Sequence, residues 1–209
     1  MNKDFNTFAR NLKELPISEP EFDTLFSPIL AKDVDHIAVG VSGGPDSLAL
    51  SWLLCRWCRR TGIRLIALTV DHRLRSTSST DASKVSLCLK SWGLECVILP
   101  WIGKKPCTGI QESARLVRYR LMIDWCNKNG VGDIALAHHQ EDQAETFLMR
   151  LSRGSGMDGL ACMRAVTLKG GVRLLRPFLK VSKNRLEATL KFGEQEWLED
   201  PANSNPIFT

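Results

Sequence analysis

Short apolar runs alternate along this chain with longer segments in which apolar residues recur every three or four positions. The apolar runs lie at 37–41, 65–70, 96–99, 133–137 and 172–175, and they predict five strands. The amphipathic segments predict helices at 47–60, 81–92, 111–127, 141–151 and 182–192. Strands that are almost wholly apolar are typical of parallel sheets covered on both faces. The pattern therefore predicts an α/β fold: a doubly wound, mostly parallel five-stranded sheet with helices on both faces.

Two helices can be predicted in more detail. The sequence Ser18-Glu-Pro-Glu21 has the form of a capping box, and Phe22 and Phe26 follow it at helical spacing. A short helix that packs on the following domain is expected there. The core-facing side of the helix at 111–127 is predicted to carry Ala114, Val117, Leu121 and Trp125.

Composition excludes some classes of protein. No apolar run approaches the ~20 residues that cross a bilayer, and the first residues lack the apolar stretch of a signal peptide. Seven cysteines, an odd number, do not suggest a disulfide framework and favour reduced thiols in the cytoplasm. Cys55 and Cys58 form a single C-x-x-C, which fits either packing on a helix or, less well, a metal or redox site.

The most informative motif is Ser42-Gly-Gly-Pro-Asp-Ser47, which follows a predicted strand and begins a predicted helix. Glycines let the backbone approach a phosphate, and the free N–H groups of a helix start point towards it. Proline is tolerated in the first turn, where its missing N–H has no partner to lose. A tight strand-to-helix turn without a ligand is the alternative. The candidate phosphate-binding residues are Ser42, Gly43, Gly44, Pro45, Asp46 and Ser47.

Other phosphate-binding motifs do not fit. The chain has no G-x-x-x-x-G-K-[ST] sequence. A G-x-G-x-x-G occurs at 154–159, but it follows a predicted helix instead of a strand, so a dinucleotide site is not expected there.

Charged side chains cluster at the predicted carboxyl ends of the strands. His138, Asp142 and Glu145 have the spacing that places them on one side of a helix start. They could hold Mg²⁺, accept a proton from an amine or bind an ammonium group; an acidic first turn favoured by the helix dipole is the alternative. Arg115 and Arg118 could clamp a phosphate, or could be exposed and paired with a neighbouring carboxylate.

A second group of candidates concerns nucleic acid or nucleotide. Asp71 and His72 end a predicted strand. Residues 150–191 carry 10 Lys/Arg against 2 Asp/Glu, a net charge of +8 on a chain of net charge +5. This stretch fits a docking site for a polyanion, or equally a solvated face. Its candidate contacts are Arg173, Lys180, Lys183 and Arg185.

Four stretches together resemble one family. The loop at 42–47 resembles that of the PP-loop ATP pyrophosphatases, whose fold is adenine nucleotide alpha hydrolase-like. Val70-Asp-His-Arg-Leu-Arg75, Glu112-Ser-Ala-Arg-Leu-Val-Arg-Tyr119 and Ala137-His-His-Gln-Glu-Asp-Gln-Ala-Glu-Thr146 resemble the motifs of tRNA(Ile)-lysidine synthetases. The resemblance covers about residues 36–205, in the order of that family.

The resemblance implies a ligase that uses ATP and Mg²⁺, with Asp46 as a candidate metal ligand. Its substrates would be free L-lysine and the wobble cytidine of tRNA(Ile) with a CAU anticodon, and its products lysidine, AMP and pyrophosphate. Asp142, Glu145, Arg115 and His138 would be catalytic. Asp71, His72 and Arg118 would contact the RNA or the nucleotide.

The same resemblance implies a division of the chain. Residues 1–33 would be an N-terminal helical extension, 34–180 the ATP-binding catalytic domain, and 181–209 the start of a helical linker to further C-terminal domains. A homodimer stays open. The alternatives are a tRNA 2-thiolation enzyme, which lacks support because 111–114 has no C-x-x-C, an amidotransferase-fed ligase, and a degenerate PP-loop protein that only binds RNA.

Overall fold

The computed structural model describes residues 15–154 and 161–197, and within these ranges the chain forms six strands and six α-helices. The helices are α1 (Glu19–Phe26), α2 (Pro45–Thr61), α3 (Ser78–Ser91), α4 (Ile110–Lys128), α5 (Gln140–Ser152) and α6 (Lys183–Phe192). The strands are β1 (His36–Gly40), β2 (Arg64–Asp71), β3 (Glu95–Pro100), β4 (Asp133–Ala135), β5 (Val166–Lys169) and β6 (Val172–Leu175). Each predicted helix and strand is present, with ends that differ by a few residues.

The six strands form one sheet in the order β3-β2-β1-β4-β6-β5. All neighbours are parallel except β5 and β6. The predicted class, a mostly parallel sheet with helices on both faces, is confirmed. The chain runs from β1 outwards to β3 on one side and to β6 and β5 on the other, so the strand order reverses between β1 and β4. Ligands of open α/β sheets bind at such a reversal, beyond the carboxyl ends of the strands.

The predicted number of five strands was one too low. Val166–Lys169 pairs antiparallel with Val172–Leu175 through a two-residue turn, Gly170-Gly171, in which both glycines have positive φ (56° and 83°). Two glycines between short apolar segments are a recognised hairpin signal. The extra strand covers the edge of β6.

The core lies on both faces of the sheet because side chains of a strand alternate between faces. Ile37 and Val39 of β1 pack with α2 on one face, and Ala38 packs with α4 on the other. The buried residues of α4 are Tyr119, Met122, Ile123 and Cys126. The predicted face of that helix, at 114, 117, 121 and 125, was therefore wrong by about one position. Both sets have helical spacing, and only the contact with the sheet distinguishes them.

The first and last described helices belong to the same core. Phe22 and Phe26 of α1 are buried and stacked, with ring centroids 5.5 Å apart, and Leu186 and Leu190 of α6 join them. Ser18 caps α1, as predicted, by accepting from the N–H of Glu21. No described helix has the length and apolar character required to cross a membrane.

Candidate active site

The phosphate loop is a closed turn between β1 and α2. Gly43 has φ of 93°, a conformation in which a side chain would be strained. Gly44 precedes the helix and Pro45 occupies its first turn. Ser47 closes the loop: its hydroxyl accepts from the N–H of Ser42 (3.1 Å) and donates to the carbonyl of Gly44 (3.0 Å). The first N–H groups of α2 have no partners within the helix and are available to an anion.

A cavity of about 210 Å³ lies at the reversal between β1 and β4. Its apolar wall includes Gly40, Leu68, Met122 and Leu136. Its polar wall consists of predicted site residues from three loops and helices: Ser42, Asp46, Ser47, Arg115, Arg118, His138 and Asp142. The structure therefore brings together residues that are far apart in sequence.

Sequence reasoning missed Gly40 on the apolar wall. A Cβ atom there would lie 2.9 Å from Cδ2 of Leu136 and 3.1 Å from the sulfur of Met122. Only glycine fits this position without displacing the wall of the cavity. The signal was a glycine at the end of an otherwise apolar strand, just before the loop.

The two arginines of α4 face the cavity without internal carboxylate partners. Neither Arg115 nor Arg118 forms an ion pair with a carboxylate among the described residues, and Nε of Arg118 is buried with no hydrogen-bond partner. Burial, followed by the nearby charge of Arg115, lowers the pKa of Arg118. Both guanidinium groups lie near the ring of Tyr119, at 5.5 and 5.7 Å. Arg118 is largely buried, and its charge is offset only in part, by Tyr119 and by the carboxylate of Asp142, so an anionic ligand would stabilise it.

His138 is a neutral imidazole in this setting. Burial, assisted by the charges of Arg176, Arg115 and Arg118, lowers its pKa to about 3. Its Nε2 lies 3.4 Å from the hydroxyl of Tyr119, and its Nδ1 has no partner. A ring with this pKa is uncharged at neutral pH, with one N–H donor and one nitrogen acceptor, and acts by hydrogen bonding.

Arg176 was not among the predicted site residues. It is buried, and its Nη1 donates to the carbonyl of Arg164 and the hydroxyl of Thr167, each at 3.0 Å. Its place in the sequence could have identified it as a site residue, because it follows β6 directly and the carboxyl ends of parallel strands meet at one edge of the sheet.

The first turn of α5 places only one of its two predicted carboxylates in the cavity. Asp142 folds back to accept from the N–H of His139 (2.9 Å) and lines the cavity. Glu145 lies a turn further along, is exposed and is not part of the cavity wall. The structure therefore brings Asp142 but not Glu145 to the cavity wall, because capping rotates Asp142 towards the helix start, and the catalytic role of Glu145 stays a prediction.

The residues at the end of β2 lie outside the cavity wall. Asp71 is buried and accepts from the hydroxyl of Ser79 (2.7 Å) and the N–H of Arg73 (3.0 Å), so it holds the following loop to α3. His72 packs edge-on against Trp101, with centroids 6.1 Å apart. Burial, followed by the charge of Arg118, lowers the pKa of His72.

Two of the four RNA contacts predicted in the basic stretch 150–191 have partners within the chain. Arg173 lies 3.4 Å from Asp133 and donates to the carbonyl of Ile29 at 2.5 Å. Arg185 forms two hydrogen bonds with Glu21, at 2.6 and 2.7 Å. Both side chains hold the N-terminal segment to the domain, so these two predicted RNA contacts already have partners within the chain. Lys180 is exposed and Lys183 is half-buried.

The carboxylates of the cavity fit a magnesium ion that a nucleotide brings with it. Oδ1 of Asp46 is buried without a partner. No group of three or more metal-ligating side chains occurs in the described ranges. Mg²⁺ is commonly held by one or two carboxylates together with substrate phosphates and water. Asp46, the predicted ligand, is the residue that would hold it.

A parallel sheet with a glycine-rich phosphate loop at its reversal defines an α/β nucleotide-binding domain. The family model of the PP-loop domain matches residues 14–209, and the chain belongs to that family. It is 46% identical over 197 residues to a tRNA(Ile)-lysidine synthase of Bradyrhizobium sp. strain BTAi1, and 39% identical over 188 residues to one of Wolbachia pipientis wMel. These matches cover 93% and 88% of this chain but 54% and 44% of the relatives, so the chain spans about half their length.

Solved structures share the fold. The U34-tRNA thiolase NcsA from Methanococcus maripaludis matches with a TM-score of 0.70 at 20% identity, over 87% of this chain and 65% of that one. NMN synthetase from Francisella tularensis matches with a TM-score of 0.51 at 11% identity, over 86% and 72%. At such identities the likeness concerns the fold alone.

Proposed function

We propose that this chain is the catalytic part of an ATP-dependent ligase that forms lysidine at the wobble cytidine of tRNA(Ile) with a CAU anticodon. One observation carries the proposal: a single cavity combines a phosphate loop, two arginines without internal carboxylate partners and a carboxylate. Anion sites and a cation site in one cavity fit a reaction that joins an amine to a phosphate-activated base. The names of the similar proteins support the same choice.

The first step is adenylation of the base. O2 of cytosine attacks the α-phosphorus of ATP, a new P–O bond forms, and pyrophosphate leaves. The N–H groups at the start of α2 would bind the leaving phosphates, and Arg115 and Arg118 would offset the charge that develops at the α-phosphate. Their lack of internal partners suits this role, because a bound nucleotide would provide the missing anion.

The second step replaces oxygen by nitrogen. The ε-amine of lysine gives up a proton and attacks C2, the C2–O2 bond breaks, and AMP leaves with the oxygen. Asp142 would bind the lysine ammonium and receive the proton, since it is the α5 carboxylate on the cavity wall. His138, neutral at the pKa given above, would orient a substrate group by a hydrogen bond. Mg²⁺, with Asp46 as its candidate ligand, would neutralise phosphate charge.

The remaining partners are parts of the same proposal. Lys180 and Lys183 are the remaining candidates for contact with the tRNA phosphates, now that Arg173 and Arg185 have internal partners. Asp71 and His72 would contact the RNA or the nucleotide from outside the cavity wall. The division at residues 33 and 180, further C-terminal domains, the cytoplasmic location and a homodimer also stay proposals.

The test is transfer of labelled lysine to tRNA. The chain is incubated with ATP, Mg²⁺, isotopically labelled lysine and a tRNA(Ile) transcript with a CAU anticodon, and the digested tRNA is analysed by mass spectrometry. A transcript with uridine at the wobble position is the matched control. Label at that single cytidine is expected. ATP-dependent sulfur incorporation, or tRNA binding without pyrophosphate release, would instead favour one of the alternatives.

The assignment of Asp142 has its own test. Asp142→Asn is expected to slow lysine transfer more than adenylation, so adenylated tRNA should accumulate. Equal loss of both half-reactions would show that Asp142 serves the first step, as a metal ligand would.

A further inference from the structure

His139 occupies a position between two helix starts. It precedes α5 directly and is buried, with 7% of its surface exposed. Its Nε2 lies 3.6 Å from Oδ2 of Asp46, in the phosphate loop, and 3.6 Å from Oδ2 of Asp142, in α5. These distances exceed those of hydrogen bonds but allow a close electrostatic contact. One ring nitrogen is thus the common neighbour of the two cavity carboxylates.

The other edge of the ring is fixed by a different element. Nδ1 of His139 lies 3.0 Å from Oε2 of Glu141, and the same oxygen accepts from the N–H of Lys183 (3.0 Å), the first residue of α6. The N–H of Gln140 donates to the carbonyl of Val181 at 2.9 Å. Because α6 packs in the core, these contacts fix the orientation of the ring.

The position of helix α5 depends on the polar contacts at its start more than the positions of the neighbouring helices do. It contributes no buried side chain, whereas α2 contributes ten. Its position relative to α2 is therefore not set by apolar packing along its length. The buried ring at its start is the element that spans the gap to the phosphate loop. Without a group between them, the carboxylates of Asp46 and Asp142 would repel each other.

We propose that His139 is a positioning residue that sets the separation of Asp46 and Asp142, and thereby aligns the nucleotide site with the lysine site. This role rests on the function proposed above. It predicts that loss of the Nε2 edge weakens the binding of both ATP and lysine, although the ring itself is not part of the cavity wall.

A positioning role and a purely structural role predict opposite orders of tolerance for two substitutions of His139. Asparagine is a good residue at a helix N-cap and places its amide near the position of Nδ1, but it does not reach that of Nε2. Glutamine is a poorer N-cap, yet its amide reaches the position of Nε2. If His139 only caps α5, His139→Asn is tolerated and His139→Gln is harmful. If it positions the carboxylates, His139→Gln is the better tolerated of the two.

The experiment measures ligand binding and kinetics with the full chain. Calorimetry gives the Kd of a Mg²⁺-bound non-hydrolysable ATP analogue, and the labelled-lysine assay gives the KM for lysine. We expect His139→Asn to raise both by about 10-fold, a common effect of removing a residue that orients a binding group, and His139→Gln to change them by about 2-fold. His36→Asn, at the amino end of β1, is the matched control and should bind normally.

The outcomes separate this inference from the proposed function. A wild-type chain that does not bind the ATP analogue contradicts the proposed function. A wild-type chain that binds it, together with unchanged binding in His139→Asn or weaker binding in His139→Gln than in His139→Asn, overturns the role of His139. Should His139→Asn fail to fold, Glu141→Ala decides: it removes the oxygen that contacts Nδ1 of His139, at a half-exposed position, and should weaken analogue binding about 3-fold. Unchanged binding there overturns the inference as well.

Discussion

Two pairs of arginines carry the same charge in different surroundings. Arg115 and Arg118 of α4 face the cavity and form no ion pair with a described carboxylate. Arg173 and Arg185 contact Asp133 and Glu21, and each also donates to a backbone carbonyl of the N-terminal segment. The second pair therefore contributes to stability, while the first has no ion pair among the described residues and only the longer-range attraction of Asp142 acts on Arg118.

The difference shows how a ligand site can be recognised before its ligand is known. A partly buried cation that already pairs with a carboxylate is stabilised little further by an added anion. A cation that is desolvated and unpaired lowers the stability of the free protein. A bound anion then stabilises it strongly. Arg118 is the desolvated member of the α4 pair, whereas Arg115 is exposed, and both lie beside the phosphate loop.

The largest effect is expected in the phosphate loop. Asp46→Ala removes a carboxylate next to the phosphates, and Gly43→Ala places a side chain where φ is 93°. Each should reduce ATP-dependent lysine transfer by at least about 100-fold, because transition-state contacts of this kind carry much of the rate. Circular dichroism and Tm should show a folded chain. Normal ATP consumption by either variant would exclude the loop as the phosphate site.

The comparison of arginines predicts opposite changes in stability and binding. Arg118→Met should weaken binding of the ATP analogue about 10-fold or more and raise the free energy of unfolding by about 1 kcal/mol, since an unpaired charge is replaced by an apolar side chain. Arg185→Met should leave analogue binding unchanged and lower the free energy of unfolding by about 2 kcal/mol. Calorimetry and urea denaturation measure both quantities. Loss of stability in Arg118→Met would mean that its charge has a partner in the free protein.

The burial of His138 beside the cations of the cavity also predicts a dependence of stability on pH. The pKa of His138 is about 3 in the folded chain, against an ordinary value of 6.5. Between these values the unfolded chain binds a proton that the folded chain does not bind. The free energy of unfolding should therefore fall as pH decreases from 6.5 towards 3, by at most about 1.4 kcal/mol per pH unit from this group.

His138→Gln isolates this contribution, because all other titrating groups are retained. The variant should lose less stability than the wild type over the same pH range in urea denaturation. Parallel curves would show that His138 is not held in its neutral form. Nucleotide binding should raise the pKa of His138, since phosphates offset the nearby arginines, and NMR titration with and without the ATP analogue measures this change.

The smallest effect is expected on the surface. If Lys180 and Lys183 contact tRNA phosphates, the plot of log affinity against log salt should flatten by about one unit for each lysine changed to glutamine. Arg173→Gln should leave the slope unchanged because that side chain has internal partners. Filter binding over a range of salt concentrations gives the slope. Equal slopes for wild type and the double lysine variant would identify these lysines as a solvated face.

The phosphate loop and the alternation of strands and helices could be predicted because both depend on local sequence. Gly43, Pro45 and the helix that follows are specified within a few residues, and apolar runs such as 65–70 specify buried strands wherever they occur. The sixth strand also had a local signal in the sequence, because Gly170-Gly171 between two short apolar segments indicates a hairpin. The resemblance supplied the family, which residues 14–209 match.

Only the tertiary structure determined which charged groups meet. Arg185 and Glu21 are 164 positions apart, and Asp46 and His139 come from different strand ends, so no spacing in the sequence relates them. Capping turned Asp142 into the cavity, whereas Glu145, three residues later, stayed exposed. The charge of a side chain follows from its identity, but its energy depends on burial and on the partners that the fold brings within a few ångströms. For that reason the sequence by itself determined the fold and the location of the site, and the packing of distant segments determined which cations are left for a ligand.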